Sequence, residues 1–143
     1  MILVDTSVWS LAFRRRRSGS SEPGEARILR ELIEANEGIG LPGIVLQELL
    51  SGVRETAQFD ELKEILTAFP IIVATAQTHI ATAQTHIEAA RIANVCSGKG
   101  IAISSVDCLI AATTIEQDAR LLTSDKDFVY MADHCALRLF ESH

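Results

Sequence analysis

The sequence has few aromatic residues, few cysteines, less basic than acidic charge, and no long uncharged hydrophobic run. Aromatic residues make up 5% of the chain, which argues against nucleic-acid-binding sheets that stack bases on exposed rings. Asp and Glu number 19 against 13 Lys and Arg, a formal net charge of −6. The molecule as a whole therefore does not attract nucleic acid, and a polyanionic ligand requires a local basic patch or a bound cation.

Cysteine content and the N-terminal segment bear on cellular location. Cys96, Cys108 and Cys135 are odd in number and show no CxxC spacing, so they support neither a disulfide framework nor a zinc knuckle. We expect buried thiols in a reducing compartment. The first residues lack the basic region of a secretory signal, and acidic residues interrupt every hydrophobic segment before the roughly 20 residues of a membrane span. We expect a cytoplasmic protein that has no membrane span.

Apolar material, by contrast, is ample for one compact core. The chain has 143 residues, of which 48% are apolar, and its mean hydropathy is +0.20. A length of roughly 100–200 residues is typical of one domain. We therefore expect a single domain over residues 1–143.

Short apolar runs alternate with segments of helical periodicity. Predicted strands lie at residues 1–4, 39–41, 69–73 and 120–123, with a further apolar run at 136–140. Helical spacing covers residues 8–13, 25–35, 44–50, 56–66, 74–95 and 106–116, and a polar loop is expected at 18–25. No hairpin signal joins the strands, so right-handed crossovers are expected. The pattern predicts a three-layer α/β/α domain with a mostly parallel central sheet.

The heptad ATAQTHI occurs at residues 74–80 and again, unchanged, at 81–87. The spacings of four and three that form one apolar helix stripe link Ala76, Ile80, Ala83, Ile87 and Ala90. We expect both copies to belong to one extended helix. The alternative is that one copy loops out after residue 73.

Acidic residues stand where the predicted strands end. Asp5 follows the first strand, Asp125 follows the strand at 120–123, and Asp107 lies early in the helix after Ser104. The carboxyl ends of parallel strands meet at one edge of a sheet, where ligands bind. Each of these acids also fits a helix-capping role.

Glu48 has no such capping role. It lies four residues after Ile44 and three after Val45 in a predicted helix, and this spacing indicates that it points inward among apolar neighbours. An unpaired carboxylate there is costly, which favours a functional role.

Carboxylates gathered at one edge repel one another and raise one another's pKa values unless a cation lies among them. Oxygen ligands suit Mg²⁺, or Mn²⁺ in its place. Apart from Cys108, which follows Asp107, no His or Cys stands beside these acids, which disfavours zinc. Such an ion orients water or neutralises charge on a phosphodiester.

Four segments carry a resemblance to a known family: MILVDTSVW, LPGIVLQELLSG, SSVDCLIAATTI and LLTSDKDF. In this order they closely resemble the PIN-domain ribonucleases, specifically the VapC toxins of bacterial toxin–antitoxin pairs. The resemblance implies Mg²⁺- or Mn²⁺-dependent cleavage of structured RNA such as tRNA or rRNA. It also implies a homodimer and inhibition by a small VapB-type antitoxin in a hetero-oligomer. The duplicated heptad departs from the family pattern.

The resemblance assigns roles position by position. The catalytic acids that it implies are Asp5, Glu48, Asp107 and Asp125, and the metal ligands are Asp5, Asp107 and Asp125. The supporting hydroxyl positions that it implies are Thr6, Ser7 and Thr123. Asp127 is an alternative to Asp125, because family members differ in which acid of this motif faces the metal.

Two further features leave alternatives open. The run Arg14, Arg15, Arg16 and Arg17 is either a solvated loop or a contact for RNA phosphates. Trp9 and Phe13, four residues apart, are expected to form core or dimer contacts.

Two other functions compete with the nuclease. One is a phospho-receiver, which lacks support because no acid pair ends the first strand and no Lys closes a late strand. The other is a catalytically silent PIN-like binding module.

Overall fold

A computed structural model describes residues 1–18, 22, 24–73 and 79–141, excluding the side chains of residues 15–18 and 79–82. The strands are β1 (Ile2–Val4), β2 (Ile39–Pro42), β3 (Ile71–Ile72) and β4 (Arg120–Leu122). The helices are α1 (Thr6–Ser18), α2 (Gly24–Glu34), α3 (Gly43–Leu50), α4 (Thr56–Thr67), α5 (His79–Gly98), α6 (Ser105–Glu116) and α7 (Lys126–Ala132).

The described strands form one sheet in the order β3-β2-β1-β4, and every neighbouring pair is parallel. The chain moves from β1 through β2 to β3 in one direction and then returns to the other side of β1 to form β4. Right-handed crossovers place α1 to α4 on one face of the sheet and α5 and α6 on the other. The predicted α/β class with a parallel sheet is confirmed.

The reversal of strand order creates a crevice between β1 and β4. Leu3 pairs with Leu121 and Val4 with Leu122, and the backbone N–H of Asp5 donates to the carbonyl of Leu122 at 2.9 Å. The residues that follow the two strands therefore lie side by side at the carboxyl edge. Ligands bind at such switch points in open α/β sheets.

The core lies along β1 and on both faces of the sheet. Leu3, Leu41 and Leu121 are fully buried, as is Phe128 from α7. The register brings Gly40 of β2 beside Leu3, and a Cβ at residue 40 would lie 2.7 Å from Leu3 Cδ2. The close approach of β1 and β2 thus depends on a residue without a side chain.

Trp9 is part of this core, as the sequence predicted. Its ring stacks on Phe13 with centroids 6.1 Å apart and meets Phe69 edge-on at 5.1 Å. The pairing fixes α1 against the end of α4, where Phe69 follows.

Several boundaries differ from the prediction. Helix α1 continues through the arginine run to Ser18, whereas the sequence pattern predicted its end at residue 13. The extension is explained by Arg being a good helix former. The run at 136–140 is not a regular strand: it contributes a single parallel bridge, from Leu139 to Leu121. Residues 19–21 and 23 of the predicted loop lie outside the described residues.

The predicted apolar stripe of α5 is wrong in its described part. Ala83, Ile87 and Ala90 are exposed, and the buried positions of α5 are Thr85, Ala89, Ile92 and Cys96. Thr85 is accommodated because its hydroxyl donates to Glu116 of α6. The helix packs on α6 through this second face, whose small residues permit close approach. Residues 74–78 of the first heptad lie outside the described residues, so the extended helix stays a prediction.

The three thiols are free, as expected. Cys96 and Cys108 are buried, and Cys135 is half-buried and donates to the carbonyl of Met131. Burial raises the pKa of each thiol, which keeps it in the unreactive protonated form. Among the described helices, none combines the length and apolar character that spanning a membrane requires.

Candidate active site

Asp5 lies at the carboxyl end of β1 and is 3% exposed. Two hydroxyl groups donate to the same carboxylate oxygen, Asp5 Oδ2: Ser7 Oγ at 2.7 Å and Thr123 Oγ1 at 3.0 Å. A buried carboxylate requires such donors to offset its lost hydration. Two of the three hydroxyl positions that the resemblance implied, Ser7 and Thr123, thus lie against the first acid.

The same two hydroxyls also accept hydrogen bonds from the loop after β4. The backbone N–H of Ser124 donates to Ser7 Oγ at 3.2 Å, and that of Asp125 donates to Thr123 Oγ1 at 3.0 Å. Each hydroxyl therefore links the carboxylate of β1 to the backbone that carries the last acids. The Ser124 amide is a contributor that no side-chain motif in the sequence indicated.

Glu48 does not point inward, which corrects the prediction from its spacing. Its side chain is exposed, and it accepts a hydrogen bond from Thr6 Oγ1 at Oε1, 2.8 Å away. The reason is that α3 begins directly after β2 and buries only a narrow stripe, represented by Val45. The Glu48 position instead faces the first turn of α1 at the rim of the crevice.

Asp107 lies in the first turn of α6. Ser104 caps this helix, since its Oγ accepts a hydrogen bond from the Asp107 N–H at 3.1 Å. The Asp107 pKa is raised from 3.8 to about 6, mainly by burial; the hydrogen bond to Ser104 lowers it, and the charges of Asp5, Asp125 and Glu48 raise it further. Asp5, Asp125 and Glu48 therefore all lie within electrostatic reach of Asp107.

Asp125 and Asp127 both belong to the cluster. Asp125 caps α7 by accepting a hydrogen bond from the Asp127 N–H at 2.9 Å, so its capping and cluster positions coexist. Carboxylate oxygens of Asp107, Asp125 and Asp127 all lie within 4.8 Å of one another. The sequence analysis offered Asp127 as an alternative to Asp125, whereas in the structure the two acids lie together. Asp5 is connected to the same loop through the Thr123 hydroxyl.

The donor chemistry of this group fits a hard divalent cation. Every candidate ligand atom is a carboxylate oxygen, the type that Mg²⁺ prefers. The pKa of Asp107 is raised mainly by burial, and the charges of Asp5, Asp125 and Glu48 add to the rise. A cation beside these acids would favour their charged forms.

The arginine run is only partly described. Arg14 is exposed on α1. The side chains of residues 15–17 lie outside the described residues, so both interpretations of the run stay open.

Comparison with known families decides the assignment. The model of the PIN domain matches residues 2–133, a range that includes the sheet and every acid of the cluster. The chain belongs to the PIN-domain family.

Curated relatives of this PIN-domain chain include two proteins of Mycobacterium tuberculosis. It is 37% identical over 125 residues to Ribonuclease VapC19, an alignment that covers 87% of the chain and 89% of the relative. It is 32% identical over 133 residues to Ribonuclease VapC11, covering 92% of each.

Solved structures show the same PIN fold. VapBC-1 from nontypeable Haemophilus influenzae matches with a TM-score of 0.73 at 21% identity, covering 99% of this chain and 98% of that one. VapBC2 from Rickettsia felis, bound to a DNA fragment from its promoter, matches with a TM-score of 0.71 at 23% identity and 98% coverage of both chains. At these identities the likeness concerns the fold alone.

Proposed function

We propose that this chain is a metal-dependent endoribonuclease toxin of the VapC type that cleaves structured RNA such as tRNA or rRNA. The observation that supports it most is the grouping of Asp107, Asp125 and Asp127, with oxygens within 4.8 Å of one another, in a chain 37% identical to a protein named a ribonuclease. Asp5 and Glu48 complete the catalytic set.

We assign the metal ligands to Asp5, Asp107 and Asp125, with Asp127 alongside them. The ion is Mg²⁺ or Mn²⁺, since the ligands are oxygens only. A bound divalent ion supplies positive charge beside a phosphodiester and acidifies water.

The remaining groups of the site orient these acids. Ser7 and Thr123 both donate to Oδ2 of Asp5, which restrains the rotation of this carboxylate, and we assign its other oxygen, Oδ1, to the ion. The Thr6 hydroxyl donates a hydrogen bond to Oε1 of Glu48. We assign the other oxygen, Oε2, to accept a proton from the attacking water. The exposure of Glu48 gives substrate and water access to this atom.

We further propose that the chain forms a homodimer and a hetero-oligomer with a small VapB-type antitoxin in the cytoplasm. An exposed carboxylate cluster attracts an Arg or Lys side chain, which would compete with the cation. The inhibitor should therefore carry a basic side chain on an apolar segment. The arginines 14–17 are our candidates for contact with RNA phosphates.

Cleavage of a panel of RNAs that includes tRNA and rRNA, with and without EDTA, tests the proposal. Asp5→Asn keeps the shape of the side chain but removes the charge, so we expect loss of cleavage with the fold retained. Asp60→Asn is the matched control, because Asp60 is an exposed helical carboxylate on α4 paired with Lys63. Full cleavage by Asp5→Asn, or cleavage indifferent to EDTA, would contradict the mechanism. RNA binding by the wild type without cleavage would favour the silent binding module.

A further inference from the structure

Helix α7 carries both an acid of the cluster, Asp127, and an exposed aromatic side chain, Tyr130. Phe128 and Met131 bury one side of the helix in the core, while Val129 and Tyr130 are 50% and 49% exposed. Lys126 is exposed on the same outer side. Tyr130 is the single tyrosine of the chain.

Asp127 of the cluster and Tyr130 lie three residues apart on α7, which makes them neighbours on the helix surface. Residues three apart on an α-helix differ by 60° around the axis and about 4.5 Å along it. Side chains on a helix lean toward its N-terminus, so the Tyr130 ring leans over the turn that carries Asp127. Val129 lies about 160° away from Asp127 around the same helix, on the far side from the cluster.

The ring contacts found among the described residues do not involve Tyr130. The aromatic contacts of the described chain join Trp9 to Phe13 and Phe69 inside the core, and Arg120 lies over Phe140. Tyr130 takes part in none of them. A half-exposed tyrosine beside a ligand crevice offers a flat apolar face to whatever enters it.

We propose that Tyr130 stacks on a base of the RNA strand adjacent to the phosphodiester that is cleaved. This inference rests on the proposed ribonuclease function and deepens it. A protein of net charge −6, whose cleavage site is itself acidic, gains little affinity for RNA from its overall field. Base stacking needs no positive charge and accepts every base, because each has a π-face. Lys126, one turn before Tyr130, supplies a cation for the neighbouring phosphate.

The test measures binding of two fluorescein-labelled probes by the full chain in the Asp5→Asn background. One probe is a single-stranded 12-nucleotide oligo(A), and the other is an abasic 12-mer that has the same phosphates but no bases. We expect Tyr130→Ala to weaken oligo(A) binding about tenfold, or about 1.4 kcal/mol, and to leave abasic binding unchanged. Tyr130→Phe and Tyr130→Trp should bind like the parent, since both keep a stacking face.

Two variants on the same helix serve as controls. Val129→Ala removes a side chain of similar exposure on the far side of α7 and should leave both dissociation constants unchanged. Lys126→Ala should weaken both probes and reduce the slope of log affinity against log salt by about one, whereas Tyr130→Ala should leave that slope as it is.

Equal binding of oligo(A) by Tyr130→Ala and the parent would overturn the inference, as would an equal loss for both probes. A change in oligomeric state on Tyr130→Ala, measured by light scattering, with unchanged RNA binding would instead assign the helix face to a protein partner. If the parent binds neither probe and the wild type cleaves no RNA, the proposed function fails. If the wild type cleaves RNA and Tyr130→Ala behaves like it, only the stacking role fails.

Discussion

We predict that the ionised carboxylate of Asp107, half-buried and close to other acids, destabilises the cation-free protein at neutral pH, and Asp107→Asn tests this. Burial, together with the charges of Asp5, Asp125 and Glu48, raises the pKa of Asp107 from 3.8 to about 6. The folded state therefore binds more protons than the unfolded state between these two values. Stability accordingly falls as the pH rises through this window, and the loss is complete above about pH 6.

The size of the effect follows from the shift. The raised pKa of Asp107 corresponds to a loss of folding free energy of at most about 3 kcal/mol on ionisation. Solvent screening of the half-exposed side chain reduces this loss to roughly 1–2 kcal/mol. Asparagine also forgoes the favourable interaction of a carboxylate with the N-terminus of α6, about 0.3–1 kcal/mol. We expect Asp107→Asn to raise the free energy of unfolding by about 1 kcal/mol at pH 7.5 and to lose this gain at pH 4.

Urea denaturation in EDTA at the two pH values measures the difference. Asp60→Asn, which changes an exposed carboxylate of α4, should give a gap close to zero at both. Added Mg²⁺ should stabilise the wild type more than Asp107→Asn, because the ion binds the folded state through the intact acids. A variant that is no more stable than the wild type at pH 7.5, or a gap that does not change with pH, would refute the reasoning.

Two structural predictions accompany it. Thr123→Val deprives the buried Asp5 carboxylate of a donor and should lower the free energy of unfolding by about 1–3 kcal/mol. Thr123→Ser keeps the hydroxyl and should retain most of this stability. Equal urea midpoints for Thr123→Val and Thr123→Ser would contradict a stabilising role of the hydroxyl. Gly40→Ala forces a methyl group against Leu3 and should cost about 1–3 kcal/mol. A Cβ at residue 43 would lie 2.7 Å from Cγ1 of Val73 and 3.7 Å from the carbonyl oxygen of Ile72. Because the Val73 side chain is exposed and free to move aside, Gly43→Ala should change the thermal midpoint little, and a neutral Gly40→Ala would disprove the packing argument.

The parts of the fold that depend on local pattern were predictable from the sequence. Apolar runs that alternate with helical segments specify parallel strands joined by crossovers, because the connections are too long for hairpins. Acids placed directly after such strands, like Asp5 and Asp125, must then meet at one edge. The capping role of Asp125 was also predictable, since capping involves only neighbouring residues.

The orientation of helices within the fold was not predictable in this way. Helix α5 has apolar residues on two faces, one with Ala83 and Ile87 and the other with Ala89 and Ile92, and periodicity alone does not say which one packs on α6. Glu48 presents the same problem: its spacing placed it near apolar residues, but the side that α3 buries is set by its contacts with other elements. Such choices depend on tertiary packing rather than on local propensity.

The hydrogen bond between Thr123, which follows β4, and Asp5, which follows β1, also determines when the site forms during synthesis of the protein. Asp5 and Thr123 are 118 positions apart, so their contact is among those that close the longest loop of chain. During synthesis the N-terminal strand emerges first and β4 comes last of the described strands. Until then Asp5 lacks the Thr123 hydroxyl, and Asp125 and Asp127 have not been translated. A chain that acts on RNA as proposed would thus remain harmless to the ribosome and the message producing it until its fold is complete.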